Sequence, residues 1–369
     1  LGLITKESLP YFSANLSKTS PTIDSALYIN YKYDALGRVV SVTNAVGTTT
    51  NMYNDWKLTV IDVGGKSKDL YKNAYGSLVQ VDEHNSLHTY STLYNYNYLG
   101  NITKITDALS NIRKFTYDGL GRRLTAEDLH VSSDTSYGIW TYTYDNAGNL
   151  TQTLDPNGQK VIYTYDNLNR VLKEDYIGVT GTEATYAYDA GTDGIGKLTN
   201  VINSSITKNY TYNALGLLKK ETDKFGLTIY ITTYSYDRQG NQTTVTNPDN
   251  SKVQYIYNTA GLLDQVKRKE SIDSAFVSVV NNFDYSPEGK VTIQENYNGT
   301  TNTNTYDVAK LYRLTSKVAT TANGDRIQDL SYTYDLVGNI TKIVDASTTA
   351  TAKTSDYTYD DLYRLTSVT

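Results

Sequence analysis

The 369-residue sequence predicts an all-β protein, a coiled antiparallel sheet assembled from β-hairpin repeats. Three observations predict it. A Tyr-x-Tyr-Asp turn motif recurs along the chain, and a second turn follows it at a nearly fixed distance. No segment keeps apolar residues at a three-to-four spacing over the roughly ten positions a helix needs.

The motif is clearest at Tyr142-Thr-Tyr144-Asp145-Asn-Ala-Gly148-Asn149-Leu150-Thr151. Close copies stand at Tyr31–Val39, Tyr234–Asn241 and Tyr332–Thr341. Taking the Asp, Asn or Ser that opens each turn as anchor gives positions 34, 54, 73, 97, 118, 145, 166, 189, 213, 237, 258, 286, 307, 335 and 360. Those fifteen anchors lie 19 to 28 residues apart, with degenerate copies at Asn54, Asn73, Ser286 and Asp307. Each anchor can bond backbone two residues on, and Gly three places later tolerates the left-handed conformation. A type I turn closed by a Gly bulge is the expected hairpin.

After the turn, Asn149-Leu-Thr-Gln-Thr-Leu154 resumes alternation in residues that suit a pleated strand. A second turn is expected ten residues after the anchor: at Asn44 after Asp34, Asp107 after Asn97, Asp155 after Asp145, Asp223 after Asn213, and Asn247 after Asp237. Each unit is then one hairpin with strands of the usual length. Hairpins laid side by side make a broad sheet, which twist should coil. Tyr33, Tyr117, Tyr144, Tyr165, Tyr212, Tyr236 and Tyr334 share one strand phase, so a recurrent tyrosine ladder on one face is expected. A propeller competes, but blades of about forty residues suit the irregular steps less well.

Composition supports this reading. The chain has 36 Tyr against 5 Phe and 2 Trp, and its hydrophobic share is 39%, so a thick aliphatic core is not expected. A net charge of −5 with no long basic run argues against a nucleic-acid partner. No apolar stretch is long enough for a transmembrane helix. With no Cys, disulfides and thiolate metal sites are excluded. The start at Leu1-Gly2-Leu3 and the stop at Thr369, soon after the Asp360 turn, suggest a piece of a longer chain. A curved open wall is therefore expected, rather than a sealed capsule.

At these motifs the sequence resembles the Rhs family of YD-repeat proteins, named for pairs such as Tyr144-Asp145. The resemblance covers about residues 31–369, leaving residues 1–30 as a lead-in segment. Within that lead-in, Gly2–Phe12 resembles the segment before the repeats of insecticidal toxin-complex B components and SpvB-like proteins. The resemblance implies a spiralling sheet that forms part of a hollow shell around a toxic domain. In the related animal teneurins it implies adhesion instead. Family shells also end in an aspartyl autoprotease segment. Asp155-Pro156-Asn157-Gly158 is superficially similar to its motif, but it occupies an ordinary second-turn position, so the resemblance extends only to the wall.

Candidate chemical sites are few, and each has a plainer reading. His84 and His88, flanking an expected turn around Asp82-Glu83, and His130 are read as surface-loop residues rather than metal ligands or acid–base groups. Gly64-Gly65-Lys66-Ser67 ends like a phosphate-binding loop but lacks the upstream Gly spacing, and is read as a turn. The repeated Asp34, Asp118, Asp145, Asp166, Asp237 and Asp335 are turn formers rather than carboxylate dyads or calcium ligands. Exposed tyrosines could stack sugars, though packing explains their regular phase better. The eight Asn-x-Ser/Thr sequons, including Asn101, Asn149, Asn241 and Asn339, follow from turn composition. Longer steps at 129–139, 192–196 and 269–282 mark candidate rims or partner contacts.

No catalytic, cofactor-binding or metal residue is assigned. The expected function is a non-catalytic wall of a shell that encapsulates a linked or co-assembled toxin or effector, with further shell segments as partners. A secreted or cell-surface bacterial location follows from the resemblance. The alternative is an adhesive protein that binds a cell-surface glycan.

Overall fold

The computed structural model describes residues 2–12, 28–179, 181, 183–347 and 351–369. Among the described residues there are 32 strands and one three-residue 3₁₀ segment, Val308–Lys310. The fold is an all-β antiparallel hairpin repeat, as the turn spacing indicates. The chain divides into two compact units. One comprises Leu1–Leu93, Tyr257–Gln265 and Ser278–Thr369; the other comprises Tyr94–Ile256 and Val266–Val277.

In the second unit the pairing is sequential except at His130–Val131, which folds back onto Asn111–Tyr117 and leaves Arg123–Glu127 paired with Ile139–Tyr144. Ile139–Tyr144 pairs with Leu150–Leu154 through Tyr142↔Thr153, and that strand pairs onward with Lys160–Tyr165 through Gln152↔Ile162. The register shifts between Thr143 and Tyr144, and again between Thr164 and Tyr165 and between Thr211 and Tyr212. Those shifts are the bulges that end each hairpin. At the Asp145 turn, the Asp145 N–H donates to Asn149 O at 3.0 Å and the Gly148 N–H to Asp145 O at 3.2 Å. Gly148 has φ 92° and Gly240 φ 90°, the left-handed region expected of them.

The first unit contains the same elements and adds the lead-in. Lys6–Ser8 pairs with Tyr28–Tyr33 through Lys6↔Asn30, so the lead-in supplies an edge strand; residues 13–27 lie outside the described residues. From there the chain runs hairpin by hairpin to His88–Tyr96, and the same unit takes it up again at Tyr257–Gln265 and from Ser278 onward.

Two expected turns are corrected. Asn54 opens no Asp-x-x-Gly turn: it pairs with Lys57 across the tight Asp55-Trp56 turn, where Asp55 has φ 50°. Asp223 lies within a strand, paired with Tyr230, and the chain reverses at Gly226-Leu227. In both places a two-residue hairpin turn replaces the four-residue turn, with positive φ only at its first residue, Asp55 or Gly226. The wider turn at Asp189 is present, closed by Asp189 N–H to Lys197 O at 3.0 Å.

The faces differ. In Tyr163-Thr164-Tyr165 and Tyr210-Thr211-Tyr212 the tyrosines are half-buried and the threonine is exposed. Buried hydrophobic side chains include Ile112, Phe115, Ala126, Val280, Tyr312 and Ala319, and among the described residues no large side chain is fully enclosed. Stability must therefore come largely from cross-strand pairs and hydrogen bonds rather than from a deep core.

Candidate functional site

Each motif residue has a specific bond. The Asp145 carboxylate accepts the Asn149 N–H at 2.8 Å and the Asn149 side-chain amide at 2.9 Å. Asp237 accepts from the Gln239 and Asn241 N–H groups and from the Asn241 amide. Where the fifth residue is Arg, its Nε takes the amide's place, as in Arg38 to Asp34 at 2.6 Å and Arg170 to Asp166 at 2.7 Å. The Asn149 and Asn241 bonds hold Asp145 and Asp237 below the ordinary carboxylate range. A carboxylate saturated in this way has little capacity left for a metal or a substrate proton.

The tyrosines recur in phase, but their rings do not stack into a ladder. Successive copies are two strands apart, roughly 10 Å, which is too far for ring contact. Each hydroxyl except that of Tyr33, which reaches the lead-in, instead donates to a carbonyl at the start of the preceding unit's return strand. Tyr117 reaches Ile102 O at 2.8 Å, Tyr144 reaches Arg123 O at 2.8 Å and Tyr165 reaches Leu150 O at 2.7 Å. Tyr212, Tyr236 and Tyr334 reach Leu198 O, Leu218 O and Leu314 O at 2.6 to 2.7 Å, and Tyr33 reaches Ile4 O at 2.7 Å. Leu150 lies beyond the last pair of its ladder, Gln152↔Ile162, so the hydroxyl supplies a donor where neighbouring backbone has diverged.

A further link was not read from the sequence. The fifth turn residue, when basic, covers the tyrosine of the next unit: Arg122 lies 5.0 Å from the Tyr144 ring centroid and Arg170 lies 4.4 Å from that of Tyr188. Arg170 also pairs with Asp189 at 2.7 Å while bonded to Asp166, and Arg122 donates to Asp145 O at 2.8 Å. Arg at this position recurs in the motif, at Arg38, Arg122, Arg170 and Arg364, and that recurrence was the available signal.

The most elaborate polar cluster lies within the first unit, where late turns meet early ones. Turns that follow the tyrosines define one edge of the sheet; the alternate turns define a return edge. At the Asp360 turn, Tyr363 stands where other turns have Gly and carries φ 61°. For a bulky side chain this backbone is unfavourable, and it persists where surroundings enforce it. The Tyr363 hydroxyl donates to Asp62 Oδ2 at 2.6 Å, while Asp62 Oδ1 accepts the Gly64 and Lys66 N–H groups of a return-edge turn. Burial and the Asp62 carboxylate push the Tyr363 phenol well up.

Beside it, Asp361 accepts from Lys66 and from the Ser86 hydroxyl, and from the Ser86 N–H at 2.8 Å. The Lys66 ammonium, with these Ser86 bonds, lowers Asp361 to about 2. Arg364 lies 5.5 Å from the centre of the Tyr90 ring. A second instance stands at Leu311-Tyr312-Arg313, a near copy of Leu362-Tyr363-Arg364. Tyr312 has φ 56°, is buried, and donates to Pro10 O at 2.6 Å. A cleft of about 290 Å³ at the seam is lined by Val60, Lys66, Lys68, Glu83, Leu362 and Tyr363. Its charges are paired, Lys66 with Asp361 and Lys68 with Glu83, so the chemistry of the seam is adhesion between turns.

The histidine readings need correction. The turn near His84 and His88 is Ser86-Leu87, and Asp82-Glu83 lies in a strand. His84 is a strand residue facing Asp69 at 3.2 Å and Thr89 at 3.1 Å. Burial works to raise Asp69, but bonds from Lys57, Thr59 and His84 outweigh it and the carboxyl is lowered. His130 is buried, because its insertion folds back beside Asn111-Ile112; its ring stacks on Tyr137 at 3.7 Å and Nδ1 faces Asp128 O at 2.8 Å. His88 remains exposed. Gly64, Gly65 and Lys66 lie in the Asp62–Lys66 turn, with Gly65 at φ 79°, while Ser67 opens the next strand, and Asp155 bonds the Asn157 and Gln159 N–H groups. Among the described residues, no group of three or more His, Asp or Glu side chains converges as a metal site would require.

Comparison with known proteins agrees with this architecture. The RHS Repeat family model matches residues 96–128, 132–160, 144–178 and 212–252. No curated protein sequence matches the chain. The crystal structure of TcdB2-TccC3-Cdc42 is similar with a TM-score of 0.85 at 17% identity, over 94% of this chain and 20% of that one. That of TcdB2-TccC3 gives 0.84 at 17% identity over the same shares. The Photorhabdus luminescens Tc holotoxin pore gives 0.82 at 17% identity, over 92% and 19%. The chain thus has the fold of part of these proteins and spans about a fifth of the chains it matches.

Proposed function

We propose that this chain, carrying RHS repeats, is a non-catalytic wall segment of a shell that encloses a toxic or effector polypeptide, linked to it or co-assembled with it. The observation that carries this reading is the shared fold with TcdB2-TccC3 over 94% of the chain. The repeat chemistry supports it. Motif carboxylates are occupied by their own turns and motif hydroxyls by neighbouring backbone, which favours a stiff wall over a reactive cleft. A wall must resist fraying between strands, and the tyrosine bonds act where the backbone ladders end. Other shell segments and the enclosed polypeptide are the partners this role requires, and export from a bacterium is the setting that fits it.

Protease protection tests the proposal. In the natural assembly that contains these repeats, the accompanying effector polypeptide should resist a protease that cleaves it readily once the wall is denatured. Equal cleavage rates with the wall intact and denatured would overturn the reading.

A further inference from the structure

Hairpin 218–236 repeats the form of hairpin 78–96. Both have strands of eight and nine residues joined by a two-residue turn, and they align residue for residue at an offset of 140, Leu78 to Leu218. Asn85↔His88 closes one tip and Phe225↔Thr228 the other, so Ser86 corresponds to Gly226 and Tyr90 to Tyr230.

The earlier hairpin is occupied. At its tip the Ser86 N–H donates to Asp361 Oδ2 at 2.8 Å, and Arg364 of the same late turn lies 5.5 Å from the centre of the half-buried Tyr90 ring. The later hairpin is bare. Tyr230 is 46% exposed, and Phe225, Leu227, Ile229 and Ile231 around it are exposed as well. Its ladder with Gln242–Thr246 stops at Thr233↔Thr246, so among the described residues no strand lines the outer edge of 228–232. A cleft of about 540 Å³ remains there, lined by Ile229, Tyr230, Asn247, Pro248 and Asp249. Proteins guard a free edge with charge, proline or a bulge, and Thr228-Ile-Tyr-Ile-Thr232 carries none of these.

We propose that the tip of hairpin 218–236 is a receiver for a turn from another repeat of the same polypeptide, outside residues 1–369. The turn that fits has an arginine at its fifth position for the Tyr230 face and an acceptor at its second for the Gly226 N–H, as Arg364 and Asp361 serve Tyr90 and Ser86. Ile206 stands where the earlier hairpin has Lys66 beside it, so this acceptor needs no negative charge. A second copy of this chain is a poor donor. Its arginines at fifth turn positions, Arg38, Arg122, Arg170 and Arg364, each already lie over a tyrosine of their own chain. The chain spans about a fifth of the TcdB2-TccC3 chain it matches, which fits a donor elsewhere in a longer polypeptide. The inference rests on the wall reading only in expecting further repeats, and not on enclosure.

Photo-cross-linking in the natural assembly tests this. p-Benzoylphenylalanine replaces Tyr230 in one sample and Tyr90 in another, and mass spectrometry identifies the captured peptides. The Tyr90 position should capture the Asp360 turn. The Tyr230 position should capture a repeat turn with arginine at its fifth position, from outside residues 1–369, with no gain in chain mass on a denaturing gel. Capture of residues 1–369 of a second copy, capture of the effector polypeptide, or no capture at Tyr230 beside a working Tyr90 control would each overturn the proposal. The protease-protection result is independent of all of these, so the two readings fail separately.

Discussion

Replacing Tyr363 by Phe should loosen the seam without disturbing the turn that carries it. The change deletes the hydroxyl that donates to Asp62 Oδ2 at 2.6 Å and leaves the ring in place. A hydrogen bond to a charged group contributes about 1.5–3 kcal/mol, and the half-exposed setting of this one argues for the lower end, about 1.5 kcal/mol. Asp62 keeps its bonds from the Gly64 and Lys66 N–H groups, so its own turn should persist. A loss of about 1.5 kcal/mol is roughly a tenfold increase in local opening. The reporter is the Ser86 amide, which is held by Asp361 across the same seam. Its hydrogen exchange should accelerate roughly tenfold, if opening limits exchange through the local equilibrium. Tyr165→Phe, which removes a bond to Leu150 O in the other unit, should leave Ser86 unaffected. Unchanged Ser86 exchange in the Tyr363→Phe protein would refute the assigned role of this hydroxyl.

Gly148→Val should cost about 1–2 kcal/mol in denaturant unfolding, from the left-handed backbone alone, since no neighbouring atom lies within 4 Å of an added Cβ. The seam should weaken in acid. Asp361 is lowered in the folded protein to about 2 from 3.8, so its contribution is full above the unfolded value and fades as pH falls from about 4 to about 2. Ser86 exchange, corrected for its intrinsic pH dependence, should reveal this loss, and Asp361→Asn should remove that component. Single substitution of His84, Asp155 or Asp237 should abolish no turnover, because the three side chains serve strand and turn contacts; peptide and glycan hydrolysis assays check this.

Most of the hairpin architecture was legible because the turn chemistry is local. An anchor such as Asp145 followed by Gly148 specifies both the Asx bonds and the left-handed residue within five positions. Legibility failed where the determinant was shorter or more distant. The Asp55-Trp56 and Gly226-Leu227 reversals have two-residue turns, so the expected spacing misplaced their boundaries. The alternation of Tyr and Thr fixed which side chains share a face, but the acceptors Arg123 O and Leu150 O depend on where neighbouring ladders end. His130 sits in an insertion whose burial comes from contact with Ile112, invisible to local pattern. The seam is the extreme case: Asp62 and Tyr363 are 301 residues apart, and only folding makes them neighbours.

The central claim, that this repeat sheet is the wall of a container, is tested most directly by a cryo-electron microscopy map of the natural assembly that carries it. The account predicts polypeptide density enclosed on one side of the hairpin sheet, separated from solvent by the wall. A map in which solvent reaches both faces and no polypeptide is enclosed would contradict it.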